Sequence, residues 1–516
     1  PIWAWIRKRK DFLRELLRLD GRAEAAGFAS KNECRNTKCR DTRPQRRYYR
    51  CLSGCMKCDW MCRSCLTKKH ADLPLHRVEI WLEGHWQETT LKKLGVTVSF
   101  GHNGGTCPQP RRTVEDFVVI HTNGLHEVKA VFCGCTLEYV PVREQLLRAR
   151  WWPATVHAPQ TAATFESLDA FDALGGAGKT NAYEYYNSLR LLTDATGLHK
   201  LPDRYKEFTR MTHEWRHTLQ LKRAGRGHDR FGGIEETEKG DLAVLCPTCP
   251  HEGLNTDIVD RLRDISPELV DANFNGVLIA MDCNFRTRNR ENKSTDETSP
   301  TLGDGMAYMA PEKDYDAFTK NSEHQQEMSS CSKFGAMILA NLKKGKGYRT
   351  TGIGGVFCSR HGFWWPNSVG TLIKGERFCT MDFILASVAR RLRTSKVHIS
   401  YDIICQYARH LEARLEGVDE ESFIYLGAQK LLYDLQKSFA VPKFHNPGHK
   451  ELCQQWFNIA FQLYCGQTDG ETSERAWAGL NPATSSMREM GPGRMRDTVD
   501  FYCGIWNWRK TIGMGE

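Results

Sequence analysis

Cysteine is the residue type whose number and spacing point most directly to chemistry. The chain of 516 residues contains 20 cysteines, and seven of them fall between Cys34 and Cys65. Reduced thiols at such short spacing are typical zinc ligands, because one turn of backbone can place two sulfurs on one tetrahedral ion. His70 and His76 follow the seven thiols and add two imidazoles. The segment therefore predicts structural zinc in closed sites.

Two zinc ions account for eight of these nine residues. We expect the first ion on Cys34, Cys39, Cys62 and Cys65. We expect the second ion on Cys51, His70, His76 and one of two competing thiols, Cys55 or Cys58. The interleaved pattern resembles a cross-braced zinc module of the B-box type. Such a module is a binding element, and its metal affinity contributes directly to its folding.

Acidic residues follow two predicted strands in the second half of the chain. Asp282 ends the apolar run 277–281, and Asp402 ends the alternating stretch 397–401. Strand ends hold carboxylates rigidly, and converging carboxylate oxygens suit hard cations such as Mg²⁺. A third acid comes from a helical pattern that starts at Glu471, where Glu471 and Glu474 share one face at i, i+3. The sequence therefore predicts a site for Mg²⁺ or Mn²⁺ at a sheet edge.

Other cysteines and histidines also have ligand-like spacing. Cys133, Cys135, Cys246 and Cys249 make a complete four-thiolate zinc set if the fold joins the two pairs, with Cys107 and His126 as substitutes. A further structural zinc beside the acids has the candidate ligands Cys358, His361, His445, His449 and Cys453. The last three stand at i, i+4 and i+8. All five residues suit DNA contacts or simple packing equally well.

The elements that must position these residues are both strands and helices. Strand patterns at 117–120 and 128–132 flank Asn123-Gly124, a dipeptide typical of hairpin turns. Apolar residues from Tyr205 to Leu219 recur every three or four positions, which predicts a helix with one buried stripe. Residues 403–415 have the pattern of another helix. We therefore expect a multidomain protein of the α/β (α+β) class.

Net charge and hydropathy indicate which kinds of binding partner the protein can have. The net charge of +10 permits a polyanionic partner without requiring one. No apolar run approaches the ~18 residues of a membrane span, so we expect a soluble protein with no membrane partner.

Residues 173–180 fit a relaxed phosphate-loop pattern, but a helical pattern precedes them, whereas a true phosphate loop follows a strand. We interpret this glycine-rich segment as a connection between two helices.

Many stretches resemble the Kyakuja-Dileera-Zisupton (KDZ) transposases of the fungal type that carry an N-terminal cysteine-cluster (CxC) domain. In the second half of the chain they are MDCNFR (281–286), LGDG (302–305), TGIGGVFCSRH (351–361), KGER (374–377), YDIICQ (401–406), PKFH (442–445), TDGE and its continuation to Trp477 (468–477), EMGPG (489–493) and WNWRK (506–510). In the first half they are QLLRARWWPA (145–154) and CPTC (246–249). Together these stretches are specific to the family, although no single stretch is.

The resemblance implies a ribonuclease-H-like catalytic core of the DDE type and a cut-and-paste DNA reaction with two metal ions. Carried over to this sequence, the catalytic acids are Asp282, Asp402 and Glu471, with Glu474 as the rival for the third position. Basic residues at 286–290 and 343–346 would bind DNA phosphates. The implied partner is DNA, at transposon ends and targets. A homo-oligomer and a nuclear location are expected.

A function of another class is a catalytically inactive or co-opted protein whose zinc modules still bind DNA or protein. The presence of all three acids favours the enzyme. We expect four parts: a basic and aromatic leader at 1–24, the B-box-like module at 25–82, a cysteine-cluster domain of hairpin and helices at 83–255, and the catalytic domain at 270–510.

Overall fold

The computed structural model of the chain divides into two compact units. Unit 1 comprises residues 1–175 and 182–212, and unit 2 comprises residues 176–181 and 213–516. The residues that the structure describes are 1–21, 34, 36, 38–39, 47–55, 60–135, 140–228, 232–251, 254–256, 261, 264, 276–321, 347–373 and 375–515.

Unit 1 combines two sheets with helices. Its strands are β1 (Tyr48–Cys51), β2 (Val78–Leu82), β3 (His85–Thr89), β4 (Thr97–Phe100), β5 (Pro110–His121), β6 (Gly124–Cys133), β7 (Trp151–Pro153) and β8 (Thr161–Thr164). The helices that begin in it are α1 (Ile2–Asp20), α2 (Arg63–Lys69), α3 (Val142–Arg148), α4 (Phe165–Gly178), α5 (Ala182–Thr193) and α6 (Tyr205–Arg223).

The two sheets of unit 1 have separate small cores. Strands β1, β2 and β3 form one antiparallel sheet, and the other has the order β4-β6-β5-β8-β7. The β5–β6 hairpin turns between His121 and Gly124, which confirms the predicted turn. Gly124 has φ +130°, a conformation that residues with a side chain rarely adopt. Stacked and edge-on aromatic rings fill the core of the larger sheet.

Unit 2 contains the remaining described elements. Its strands are β9 (Val277–Asn284), β10 (Asn289–Arg290), β11 (Tyr348–Thr350), β12 (Gly352–Cys358), β13 (Trp364–Leu372), β14 (Lys396–Tyr401) and β15 (Gln436–Ala440). Its helices are α7 (Glu312–Asn321), α8 (Phe378–Ala389), α9 (Ile404–Tyr407), α10 (Leu411–Glu416), α11 (Tyr425–Gln429), α12 (Glu451–Trp456), α13 (Thr472–Leu480), α14 (Thr484–Met487) and α15 (Pro492–Ile512).

The central sheet of unit 2 is mixed. Its order is β13-β12-β9-β14-β15, with β12 antiparallel to both β13 and β9, and with β14 parallel to both β9 and β15. The apolar run at 277–281 is buried throughout, as in a strand covered on both faces. Helix α8 connects β13 to β14 and is buried from Cys379 to Ala389, so it is a core helix.

Two helical predictions have different outcomes. Helix α6 covers the stripe predicted from Tyr205 to Leu219, and its central apolar residues are buried. The single helix predicted over 403–415 is instead broken into α9, a short 3₁₀ turn and α10. Arg414 of α10 donates to both oxygens of Asp382 on α8 and to the carbonyl of Tyr407 at the end of α9, so these tertiary bonds hold the broken segment against the core helix.

The glycine-rich segment does not form a phosphate loop. Helix α4 runs through it as far as Gly178, and α5 begins at Ala182. The segment therefore ends one helix and leads to the next, as predicted. Within the part of the chain that the structure describes, no helix is long and apolar enough to cross a membrane.

Candidate active site and metal clusters

Two acids lie at the same edge of the central sheet, one near the end of β9 and one directly after the parallel strand β14. Strand β14 pairs with β9 so that Tyr401 lies opposite Met281, and the next residues along the two strands are Asp402 and Asp282. The parallel direction brings both strands to the same edge of the sheet. The structure thus places the two predicted aspartates side by side, on backbone that the sheet holds rigid.

Asp282 is fixed by hydrogen bonds to both of its carboxylate oxygens. The backbone N–H of Cys283 donates to Oδ1 at 2.7 Å, and the indole N–H of Trp477 donates to Oδ2 at 2.8 Å. Trp477 lies on α13 and packs against the rings of Phe357 and Trp364. Helix α13 is therefore anchored at the end of β9, and it brings its own acid, Glu474, to the same region.

His445 bridges two of the predicted acids. Its Nδ1 lies 3.0 Å from Oδ2 of Asp402, and its Nε2 lies 3.7 Å from Oε2 of Glu471. The backbone N–H of Phe444 donates to Oε1 of Glu471 at 2.8 Å. Sequence reasoning treated His445 as a candidate zinc ligand, but the structure places it among the acids. This loop therefore holds Asp402 and Glu471 in fixed positions.

Glu471 and Glu474 occupy different environments. Glu471 caps the start of α13, and its side chain is only 6% exposed. Gly470, just before it, has φ +78°, and a Cβ there would lie 2.7 Å from Oγ of Ser400, so the chain can turn into α13 only with glycine. Glu474 is exposed, and it has no hydrogen bond or ion pair among the described residues.

A further acid, Glu376, was missed by the sequence analysis. It lies in the turn before α8, and its Oε1 accepts a hydrogen bond from the hydroxyl of Tyr401, the residue before Asp402. Burial raises the pKa of Glu376. The signal that could have found it is the KGER stretch at 374–377, which belongs to the stretches that carry the resemblance but has no strand or helix pattern of its own.

The acids repel one another. Burial, with the charge of Glu376 next in importance, raises the pKa of Asp282 to about 8. Burial and the charge of Asp282 raise the pKa of Asp402 well above its usual range. Glu474 contributes to both shifts. No lysine or arginine forms an ion pair with these four acids in the described part of the chain. Carboxylates grouped in this way suit a divalent cation.

The first two predicted zinc sets come together as expected in unit 1. Cys34, Cys39, Cys62 and Cys65 have their sulfurs within 4.8 Å of one another. Cys51, Cys55, His70 and His76 form the second group, within the same distance. Cys58, the alternative to Cys55, lies outside the described residues. The structure thus interleaves the two sets as the sequence predicted.

The chemistry of these two groups fits zinc. Burial is the main cause that raises the pKa of Cys65 to about 12 and that of Cys51 to about 11. Both thiols are therefore protonated at neutral pH unless a bound cation stabilises the thiolates. His70 uses Nδ1 to bond the carbonyl of Leu66 at 2.9 Å, and its Nε2 faces Cys55. A metal-binding histidine is typically oriented in this way by its second nitrogen.

The expected four-thiolate set of Cys133, Cys135, Cys246 and Cys249 is wrong. Cys133 and Cys135 instead group with Cys107 and His102, and Nε2 of His102 lies 3.3 Å from both sulfurs. The substitute Cys107 was foreseen, but His126 is not a ligand and instead bonds Asn123. His102 was missed, although the spacing His102-x4-Cys107 could have indicated it.

Cys246 and Cys249 complete a different set. They group with Cys358, at the end of β12, and with His361 in the turn before β13. Sulfur–sulfur and sulfur–nitrogen distances are 3.2–3.6 Å, the separations that ligands on one tetrahedral ion have. The expected joint zinc site of Cys358 and His361 with His445, His449 and Cys453 is therefore wrong. Residues 246–249, expected within the cysteine-cluster domain, lie in unit 2.

His449 and Cys453 meet a cysteine that the sequence analysis did not select. They lie within 4.8 Å of Cys405, on α9. His445, four residues before His449, is turned towards Asp402 instead. No short spacing links Cys405 to the other two residues, because 44 residues separate it from His449.

Comparison with known families gives two matches. The family model of the Kyakuja-Dileera-Zisupton transposase matches residues 275–507. The chain carries a KDZ transposase domain. A CxC2-like cysteine cluster associated with KDZ transposases matches residues 91–197. No curated protein and no solved structure matches the chain.

The KDZ domain contains all the acids described above, and it also contains Cys358, His361 and the group around Cys405. The third cysteine cluster, with His102, lies within the CxC2-like region. The first two clusters and Cys246/Cys249 lie outside both matched regions. A KDZ transposase domain implies a transposase function and DNA as a partner. The fungal type stays a prediction.

Proposed function

We propose that this protein is a metal-dependent DNA transposase of the DDE type, which cleaves DNA at transposon ends and joins the ends to a target. The observation that carries the proposal is the pair of aspartates on adjacent parallel strands, Asp282 and Asp402, with an acid of α13 beside them. The KDZ match supports the same reaction class.

The topology of unit 2 supports a ribonuclease-H-like core. Counted along the chain, the strands of the central sheet have the order 3-2-1-4-5, with the second strand antiparallel to the first. This is the strand arrangement of ribonuclease-H-like domains. In such a core the first aspartate lies on strand 1 and the second at the end of strand 4. Asp282 lies on β9, the first strand, and Asp402 directly follows β14, the fourth.

The acids suit Mg²⁺ or Mn²⁺. Hard cations prefer oxygen ligands, and burial, together with the charges of neighbouring acids, raises the pKa values of Asp282 and Asp402. No lysine or arginine pairs with either aspartate in the described part of the chain. We propose Asp282, Asp402 and Glu474 as the metal acids. Glu471 is already held by Phe444 and His445, whereas Glu474 is exposed and free to bind. Bound ions would activate water or a DNA 3′-hydroxyl and stabilise the leaving oxygen.

The chain's own residues orient the acids and approach the DNA. Trp477 and the N–H of Cys283 fix the carboxylate of Asp282, and one lone pair on each oxygen stays available for a metal. His445 fixes one oxygen of Asp402. Arg286 and Arg288 are exposed just after β9, where they are placed to bind phosphates. The basic residues expected at 343–346 lie outside the described residues.

The test is nicking and strand transfer on supercoiled plasmid in Mg²⁺ or Mn²⁺. We expect Asp402→Asn to abolish both activities. Glu420→Gln, which removes an exposed acid in the loop after α10, should leave them intact. Metal-independent cleavage, or equal cleavage by the two variants, would overturn the proposal. A folded, zinc-loaded wild type without any cleavage would favour a co-opted DNA- or protein-binding function. Nuclear location and homo-oligomerisation remain parts of the proposal.

A further inference from the structure

A group of three metal-binding side chains lies directly beside Asp402. Cys405 is on α9, three residues after Asp402, while Cys453 is on α12 and His449 precedes that helix. Their ligand atoms lie within 4.8 Å of one another, and Sγ of Cys405 is 3.6 Å from Nδ1 of His449. Cys405 and His449 are buried, with exposed fractions of 2% and 8%. Two segments distant in sequence thus bring sulfur and nitrogen ligands to one point.

The donor set selects the metal. Two thiols and an imidazole suit Zn²⁺, whereas Mg²⁺ prefers the oxygens of the neighbouring carboxylates. The described residues supply three ligands, which leaves a fourth coordination position open. Of the three ligands, Cys453 is partly exposed, whereas Cys405 and His449 are buried.

We propose that Cys405, His449 and Cys453 bind a zinc ion that holds Asp402 and the 442–449 loop in place. The ion would tie α9, which follows Asp402, to α12, which follows the loop. His445 and the N–H of Phe444 belong to that loop and contact Asp402 and Glu471. His449, Cys405 and Cys453 are positioning residues in this scheme, since they act on the acids through the backbone.

The first test counts zinc in the purified full-length protein by elemental mass spectrometry. We expect Cys453→Ser and His449→Gln each to carry one zinc equivalent fewer than the wild type. The control is Cys465→Ser, because Cys465 is more deeply buried than Cys453 and belongs to none of the metal groups, so it should keep the wild-type count. Retention of the other equivalents shows that a variant is folded. An unchanged zinc count in both variants would overturn the site.

The positioning role rests on the proposed function, so its test is separate. We expect Cys453→Ser to weaken Mn²⁺ binding at the acids by roughly 10- to 100-fold, the usual cost of losing a group that orients a ligand. Electron paramagnetic resonance measures this binding, with Asp402→Asn as the reference for a damaged acid site. If Cys453→Ser loses one zinc equivalent but binds Mn²⁺ with the affinity of the wild type, the positioning role is overturned. If Asp402→Asn itself bound Mn²⁺ normally, the proposed active site would fail, while the zinc count would still decide the zinc site.

Discussion

At the scale of single residues, the two glutamates at the start of α13 differ in their partners. Glu471 is buried, accepts a hydrogen bond from the N–H of Phe444 and lies 3.7 Å from Nε2 of His445. Glu474 is exposed and has no hydrogen bond or ion pair among the described residues, and its charge adds to the effect of burial in raising the pKa values of Asp282 and Asp402. A buried glutamate with a hydrogen-bond donor stabilises the fold, whereas an exposed, unpaired carboxylate is available to a ligand. This difference separates two glutamates that are only three residues apart.

The two glutamates can be compared directly by mutation. We expect Glu474→Gln to lower the cleavage rate by roughly 100-fold or more, because a lost metal ligand removes several kcal/mol of transition-state stabilisation. Its melting temperature should change little, since the side chain is exposed. Glu471→Gln should lower the melting temperature more and the rate less. Plasmid cleavage and thermal unfolding measure both quantities. The reverse order would make Glu471 the third metal acid.

At the scale of elements, helix α11 lies unusually close to the core helix α8. A Cβ added at Gly427 would lie 1.8 Å from the carbonyl oxygen of Ala386, which is backbone and cannot move aside. We expect Gly427→Ala to destabilise unit 2 by about 1–3 kcal/mol or more, as overpacked cores are. The control is Gly417→Ala, where the nearest atom would be 4.0 Å away. Urea unfolding checks this, and equal stability of the two variants would contradict it.

A second prediction at this scale concerns the packing of α15. Asp500 on this helix accepts hydrogen bonds from the N–H groups of Tyr308 and Met309 at 2.9 and 2.8 Å. Burial, with the charge of Asp497 next, raises the pKa of Asp500 to about 7. The folded state therefore keeps a proton that the unfolded state releases above pH ~4. The contribution of protonated Asp500 to the free energy of unfolding is therefore fully present below pH ~4 and is lost as the pH rises from there towards 7.

Asp500→Asn should remove this dependence, because the amide oxygen can still accept both bonds and carries no charge. We expect the melting temperature of the variant to rise relative to the wild type between pH 5.5 and pH 8. The limiting slope is about 1.4 kcal/mol per pH unit. Thermal unfolding in matched buffers measures the difference. A difference that stays constant over this range would contradict the assignment of the titration to Asp500.

At the scale of the whole molecule, the two units depend on metal to different degrees. The small sheet of β1, β2 and β3 has a core of few residues, and the ligands Cys51 and Cys65 belong to it or pack against it. The central sheet of unit 2 has a much larger apolar core. Small apolar cores contribute little to the free energy of unfolding. Metal binding must therefore supply a large part of the stability of the β1–β2–β3 sheet.

This difference predicts how the protein responds to removal of zinc. With a strong zinc chelator, we expect the amide hydrogens of β1 and β2 to lose protection from exchange while those of β9 and β14 keep it. Hydrogen-exchange mass spectrometry of the full chain measures both regions at once. Cys62→Ser should reproduce the loss in β1 and β2 without a chelator. Protection of β2 that survives chelation would contradict a structural role for these ions.

The sequence by itself predicted the residues whose surroundings are local. Asp282 was selected because it follows an apolar run of strand length and Asp402 because it follows an alternating stretch of strand length. The first two ligand sets were selected because their spacings are short. The β5–β6 turn was predicted from Asn123-Gly124 for the same reason. In these cases one segment of backbone fixes the geometry, so its pattern is sufficient.

The tertiary structure alone decided which distant segments meet. Cys246 and Cys249 join Cys358 and His361, and Cys405 joins His449 and Cys453, across separations that no spacing rule covers. Glu376 lies beside Asp282 because α8 packs on the central sheet, and it has no periodic pattern to reveal it. Burial, pairing and repulsion depend on which surfaces come together in the folded chain. Residue types and local spacing therefore indicate the kind of site, and only the packing of elements determines its members.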